Sequence, residues 1–219
     1  GIYSREGQKY MPEDSDQVMW YRESEDGVML EEGINEAGAM SAWIALATSY
    51  SSNKLPMIPF YIFYSMFGFQ RVHDLAWAAG DARARGFLLG ATSGRTTLNG
   101  EGLQHQDGHS HIFAQTIPNC KSYDPCFSYE LSTIIDEGIK EMYLDNKDVY
   151  YYITLMNENY IHPARPKTAT KDAILKGAYL FKTDSKPDIR ILASGVTLRF
   201  AIEASSTLEE LGVKTEIWS

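Results

Sequence analysis

His105, Asp107, His109 and His111 stand at alternate positions in the run His-Gln-Asp-Gly-His-Ser-His. Imidazole and carboxylate groups spaced in this way converge if the loop curls. They then offer the donor set of a metal-dependent hydrolase. The spacing, however, is not H-E-x-x-H, the thiol of Cys120 is distant, and glycines on both sides suit a loop shaped around a non-metal ligand. No metal ligand is therefore assigned in this chain. His105, which follows Glu101 and Gln104, reads as a proton donor or acid/base group at a small-molecule pocket. His109 and His111 read as hydrogen-bonding groups that fix the loop. Glu36 is a second acid of interest, because on a helix it shares a face with Met40 and Trp43. A carboxylate on such a stripe is either splayed to solvent or buried with a raised pKa, and residue type alone favours the solvated reading. Tyr61, Phe63, Tyr64, Phe67 and Phe69 supply aromatic surface. Most of it reads as core, with one or two rings near the strand end free to stack on a flat heterocycle.

These groups need elements to hold them. Ile58 to Met66 is apolar with hardly a polar break, as in a strand covered on both faces. Gln70 to Arg85 has helical spacing, with Val72, Leu75 and Ala79 on one side, and Phe87 to Thr92 reads as a second buried strand. That strand empties into a polar, glycine-rich loop from Ser93 to His111. Loops of this kind at the ends of buried strands are where α/β proteins carry their chemistry. Glu31 to Tyr50 reads as a helix with acids at its positive end and Ile34, Ala37 and Ile44 at helical spacing. Asp124-Pro125 has the form of an N-cap and first turn opening a helix to about Asp145, with Leu131, Ile134, Ile135, Ile139 and Met142 inward. Val149 to Met156 is a strand, followed by a turn over Asn157 to Tyr160.

The fold class expected is α/β, a mostly parallel sheet with helices on both faces, followed by the βαβ unit of a second α/β domain. Residues 1–27 read as a solvated segment with one short helix around Ser15 to Tyr21. Residues 1–162 form the first domain, and 163–188, with Pro163, Pro166 and a Lys/Thr run, a linker. Residues 189–219 form a truncated second domain of strand Ile189–Ser194, helix Thr197–Leu211 and strand Val213–Trp218. A start at Gly1 and a stop directly after a strand suggest a piece of a longer polypeptide.

Composition narrows the function. A net charge of −9 without a basic cluster argues against nucleic acid or an anionic membrane as partner. No apolar run approaches the roughly 20 residues of a membrane span. The two cysteines, Cys120 and Cys126, make neither a zinc knuckle nor a disulfide framework, so a cytoplasmic setting is expected. Glycine-rich phosphate signatures are missing, since Ser93-Gly-Arg-Thr-Thr matches neither a Walker nor a dinucleotide fingerprint.

Four stretches resemble a known family. They are the segment from Glu32 to Ala39, that from Leu55 to Arg71, that from Thr92 to His111 and that from Tyr151 to Tyr160. Together they are similar to the middle domain of the bacterial homodimeric pyruvate dehydrogenase E1 component, a thiamine-diphosphate enzyme of the transketolase-like group. The likeness runs from Gly1 into the βαβ unit, and the histidine-rich loop and aromatic run separate it from transketolase proper. The resemblance implies that Glu36 hydrogen-bonds N1′ of the cofactor's aminopyrimidine, which reverses the solvated reading of that residue. It implies that Tyr64 and Phe67 wall the pyrimidine and that His105 orients pyruvate and handles protons near it. Glu101 and Gln104 carry over as neighbours in the same loop. It also implies Mg²⁺ and diphosphate ligands outside this chain, a homodimer with the cofactor at the subunit interface, and transfer to the lipoyl domain of a dihydrolipoamide acetyltransferase (E2). The chain alone would then carry half of each site and be inactive. Three rivals stand beside this reading. One is another 2-oxo acid dehydrogenase or a transketolase-like transferase on the same fold. The others are the metal-dependent hydrolase and a non-catalytic dimerisation module.

Overall fold

The computed structural model describes residues 1–17, 19–94 and 101–219. Two short parallel strands, β1 (Ile2–Tyr3) and β2 (Glu23–Ser24), pair near the start of the chain. Between them the backbone makes turns, and the expected helix at Ser15 to Tyr21 is absent among the described residues. Proline and a crowd of acids there favour turns over a repeating helical ladder.

Helix α1 (Glu36–Ala47) starts at Asn35, whose side chain accepts from Gly38 N at 3.1 Å. This cap sets the helix start later than the sequence pattern indicated. Ile34 consequently lies outside the helix and is 95% exposed, while Met40, Trp43 and Ala47 form the buried stripe. One further turn, α2 (Ser49–Ser52), follows.

Strand β3 (Phe60–Tyr64) leads into helix α3 (Gly68–Asp81), and β4 (Phe87–Ala91) comes next. At the start of α3, a Cβ on Gly68 would lie 2.0 Å from the Phe63 ring, so only glycine lets the helix close onto the strand. A short helix α4 (Ser110–Gln115) and strand β5 (Cys120–Tyr123), neither evident from periodicity, precede α5 (Ser128–Ile139). A wider turn over Lys140–Leu144 continues α5. Strand β6 (Tyr150–Thr154) is buried along its whole length.

The main sheet is parallel throughout, in the order β3-β4-β6-β5. Its core holds Phe63, Phe87, Leu88, Tyr150, Tyr151, Tyr152 and Ile153, packed between α1 and α3 and the α5 side. Full burial of each large apolar side chain contributes about 1.5–3 kcal/mol relative to exposure.

Asp124-Pro125 does not cap α5. The helix starts later, and Glu130 reaches back so that its Oε2 accepts from Cys126 N at 2.8 Å and Phe127 N at 2.6 Å. Asp124 is engaged elsewhere by tertiary partners. The stretch expected as a linker also carries structure, with helix α6 (Lys171–Leu175) and strand β7 (Leu180–Lys182). Strand β7 pairs antiparallel with β9 (Thr215–Trp218), which pairs parallel with β8 (Ile189–Leu192). Helix α7 (Thr197–Glu210) crosses between β8 and β9. The second unit is therefore a three-stranded sheet in the order β7-β9-β8, one strand larger than the expected βαβ. No helix among the described residues is long and apolar enough to cross a membrane.

Below the sheet, Glu141 is 5% exposed and accepts from Lys121 Nζ at 2.6 Å and Lys147 Nζ at 2.8 Å, with Tyr151 donating as a third partner. Burial opposes its charge, but the hydrogen bonds from Lys121, Lys147 and Tyr151 outweigh it and pull the carboxyl from 4.5 down to about 2. A depressed folded-state value means that the stabilisation is complete above the unfolded carboxyl's range and is lost as pH falls towards about 2. Glu141→Gln is expected to destabilise the fold by about 2–4 kcal/mol at neutral pH, since two lysines lose their buried partner. Denaturant melts across pH should show the deficit shrinking as the medium is acidified below 4.5. A deficit independent of pH would contradict the assignment.

Candidate active site

Parallel strands ending side by side leave a crevice beyond their carboxyl ends, and that is where the sequence-selected residues meet. A cleft of about 440 Å³ is lined by Glu36 and Ala39 of α1, Tyr61 to Tyr64 of β3, Phe67, Arg71 of α3, and Glu101 and His105 of the loop after β4. The structure thus brings together Glu36, Tyr64, Phe67, Glu101 and His105. Gln104 is exposed and is not among the lining residues.

Glu36 is the first residue of α1, and its side chain keeps 19% of its surface exposed. The carboxylate is thus neither splayed to solvent nor sealed in the core. It is ion-paired with the Arg71 guanidinium, a residue that the sequence reading passed over. Arg71 in turn sits with Cζ 4.6 Å from the centroid of the Phe67 ring. A basic residue four positions after an aromatic on a helix is the spacing that allows this stacking, so a signal was present. Tyr61 is also at the cleft, and burial, then the negative charges of Glu36 and Glu32, push its phenol up to about 12. It is a neutral hydroxyl at neutral pH.

Part of the cleft wall is aromatic. The Tyr64 and Phe67 rings lie 5.4 Å apart, and the His105 ring meets both edge-on at 5.9 and 5.2 Å. The Nδ1 atom of His105 is buried, makes no hydrogen bond, and has Glu101 Oε2 at 3.5 Å as its nearest charged neighbour. Tyr64 Oη donates to the same Oε2 at 3.5 Å. His105 occupies one turn of 3₁₀ helix, Leu103–His105, which aims the imidazole at the aromatic wall.

The remaining members of the histidine-rich run have structural employment. Asp107 is 6% exposed, and its Oδ1 accepts from the backbone N–H groups of His109 and Ser110, both at 3.0 Å. Its Oδ2 accepts from Ser110 Oγ at 2.5 Å. Burial works to raise its pKa, but the Ser110 hydroxyl and the two backbone donors outweigh it and hold the carboxyl below its ordinary value. His109 Nε2 lies 2.9 Å from Gln70 Nε2, and His111 Nε2 lies 3.0 Å from Thr154 Oγ1. Among the described residues no three His, Cys, Asp or Glu side chains are arranged to hold a metal ion. The hydrolase built on this run therefore has no converging donor set in its favour.

The comparisons with known proteins agree with one another. Residues 1–163 match the family described as pyruvate dehydrogenase E1 component middle domain, and residues 177–219 match the transketolase-like TK C-terminal domain. The pyruvate dehydrogenase E1 component of Pseudomonas aeruginosa is 60% identical over 223 residues, covering 100% of this chain and 25% of that protein. The corresponding Escherichia coli K12 protein is 57% identical over the same span, again covering 100% and 25%. The chain thus spans about a quarter of the length of these relatives. A solved transketolase from Leishmania mexicana superposes with a TM-score of 0.71 at 17% identity, covering 90% of this chain and 27% of that one, which shows the shared fold.

Asp107 closes the loop onto α4 by capping its backbone donors, a role worth about 0.5–2 kcal/mol in measured helix caps. Asp107→Ala is expected to lower stability by about that amount at neutral pH. Because its folded pKa is depressed, the contribution is present above the unfolded carboxyl's range and fades on acidification. Thermal melts of the two forms should therefore converge in acid, and a constant gap would rule out the charged cap.

Proposed function

This chain belongs to the pyruvate dehydrogenase E1 component family, and we propose that it is the aminopyrimidine-binding part of a thiamine-diphosphate-dependent pyruvate dehydrogenase. The observation that carries the reading is Glu36, a half-buried carboxylate lining an aromatic-walled cleft that His105 also lines. A flat heterocycle with a basic ring nitrogen fits such a cleft, because the carboxylate answers the nitrogen and the ring faces answer the plane.

The thiazolium of thiamine diphosphate, when bound, supplies the carbon nucleophile and electron sink that decarboxylation of a 2-oxo acid requires. Glu36 holds a proton in a hydrogen bond to the pyrimidine N1′. Tyr64 and Phe67 orient the ring and exclude water from one face. Arg71 balances the Glu36 charge until a ligand takes its place. His105 orients the 2-oxo acid and moves a proton to and from its oxygen, with the Glu101 carboxylate 3.5 Å from its Nδ1. Gln104 adjoins His105 on the loop, exposed and outside the cleft lining.

Mg²⁺ and the diphosphate are held by residues outside this chain in this reading. The enzyme is a cytoplasmic homodimer that takes pyruvate and passes a two-carbon unit to the lipoyl group of E2. We retain 1–162 as the pyrimidine-binding unit and take the second unit to include β7.

In the full-length enzyme supplied with thiamine diphosphate and Mg²⁺, Glu36→Gln is expected to cut pyruvate-dependent reduction of an artificial electron acceptor by at least about a hundredfold. His105→Ala should lower kcat while leaving cofactor affinity intact, and the isolated 219-residue chain should not turn over pyruvate. Near-normal activity of Glu36→Gln would remove the assignment, as would turnover by the isolated chain.

A further inference from the structure

The cleft occupies the β3 and β4 side of the sheet's carboxyl edge. Farther along that edge, at β6 and β5, runs a polar chain that the proposed reaction leaves unassigned. Thr154 ends β6, is 1% exposed, and donates its hydroxyl proton to Asp124 Oδ1 at 2.6 Å. That contact is far shorter than the 3.3 Å approach to the Tyr123 carbonyl. A threonine hydroxyl has one proton, so with that proton committed to the carboxylate, its 3.0 Å contact with His111 requires Nε2 to donate. The direction of the chain follows: imidazole N–H to hydroxyl, hydroxyl to carboxylate.

The far side of Asp124 belongs to the second unit. Its Oδ2 accepts from Ser194 Oγ at 3.1 Å, and its backbone carbonyl accepts from Gly195 N at 3.0 Å. Ser194 and Gly195 form the turn between β8 and α7. Gly195 has a φ of +50°, and a Cβ there would lie 2.3 Å from Asp124 Oδ2. Only glycine lets that turn close on the carboxylate.

The near side reaches the loop that carries Glu101 and His105. His111 lies in α4 at the loop's end. At the loop's start, Ser93 N donates to Leu155 O at 2.8 Å, and Leu155 N donates to Gly90 O at 2.8 Å. Thr154 and Leu155 thus hold both ends of the segment. We infer that His111, Thr154 and Asp124 are positioning residues for the His105 loop, joining it to the β8–α7 turn so that the loop is set only when the second unit is docked. Burial lowers His111 below the ordinary imidazole value, against the pull of Asp124 and then Asp107, which leaves the neutral N–H-donating form at neutral pH. The catalytic consequence rests on the thiamine-diphosphate reading above.

The test uses the full-length enzyme with thiamine diphosphate and Mg²⁺. Thr154→Val keeps volume and removes the hydroxyl, and it is expected to lower kcat about ten- to a hundredfold, as for loss of a hydrogen bond to a charged group. The cofactor dissociation constant should stay unchanged, because Glu36, Tyr64 and Phe67 stand on or beside α1, β3 and α3. Thr154→Ser should restore kcat. A wild-type kcat in Thr154→Val would overturn the inference, as would equal losses in the valine and serine variants. A parallel loss of cofactor affinity would also overturn it. Should Thr154→Val fail to fold, Ser194→Ala at an exposed position decides in its place: a lowered kcat with unchanged cofactor affinity supports the inference, and an unchanged kcat overturns it. Failure of the underlying reading shows separately, as turnover that Glu36→Gln leaves intact.

Discussion

Parallel pairing in register is the constraint on which the rest depends. Tyr64 pairs with Ala91, and Gly90 with Thr154, so β3, β4 and β6 end together. Parallel strands force their connections over the sheet faces and leave their carboxyl ends open to loops. The aromatic wall after β3, the loop after β4, Asp124 after β5 and Thr154 at the end of β6 are brought to one edge by that single geometric fact. A slip of one residue in any pairing would turn these side chains to the opposite face.

The buried carboxylates show how differently one chain can treat the same group. Glu141 is fixed by two lysines and a tyrosine, and nothing is left for a ligand to take. Glu130 accepts from Cys126 N and Phe127 N, from Tyr179 Oη at 2.9 Å and from Ser219 Oγ at 3.0 Å. It thereby ties the start of α5 to the one end of the second sheet where Tyr179 and Ser219 pair with each other. Glu36 has one charged partner, and that partner is a side chain 47% exposed to solvent, resting on an aromatic ring. A carboxylate whose counter-charge can be displaced is available for chemistry, whereas one enclosed by four donors is architecture.

This distinction marks what was legible in the sequence. The strands β4 and β6 were readable because both faces are covered, and continuous apolar runs follow from that. Strand β3 has the same kind of apolar run, but it is an edge strand with Phe60 and Ile62 exposed, so the expected cover on both faces is not found. The loop was readable because glycines and polar groups cannot form core. Glu36 was visible as an acid on an apolar stripe, but its partner lies 35 residues away. Asp124-Pro125 is the instructive failure. The dipeptide has the local form of a helix start, yet Thr154, Ser194 and Gly195 claim it, and a glutamate at position 130 caps the helix instead. Local preference is worth about a kilocalorie per mole and loses to several tertiary contacts. Strand β7 was hidden for a similar reason, since three residues pairing with β9 leave no periodicity to read.

The cleft itself carries an argument about assembly. Ile34, 95% exposed, and Ile62, 63% exposed, both line it, and Phe60 on the same edge strand is 45% exposed. Edge strand β3 presents this apolar surface beside unpaired backbone groups, a combination that folded proteins cover. A ligand seated on Tyr64 and Phe67 would shield only part of it. The proposed homodimer, with the cofactor held between subunits, accounts for the remainder and also for a carboxylate left with a single replaceable partner. Under that proposal, wall, acid and exposed apolar rim are a single feature, the part of the site that this chain contributes.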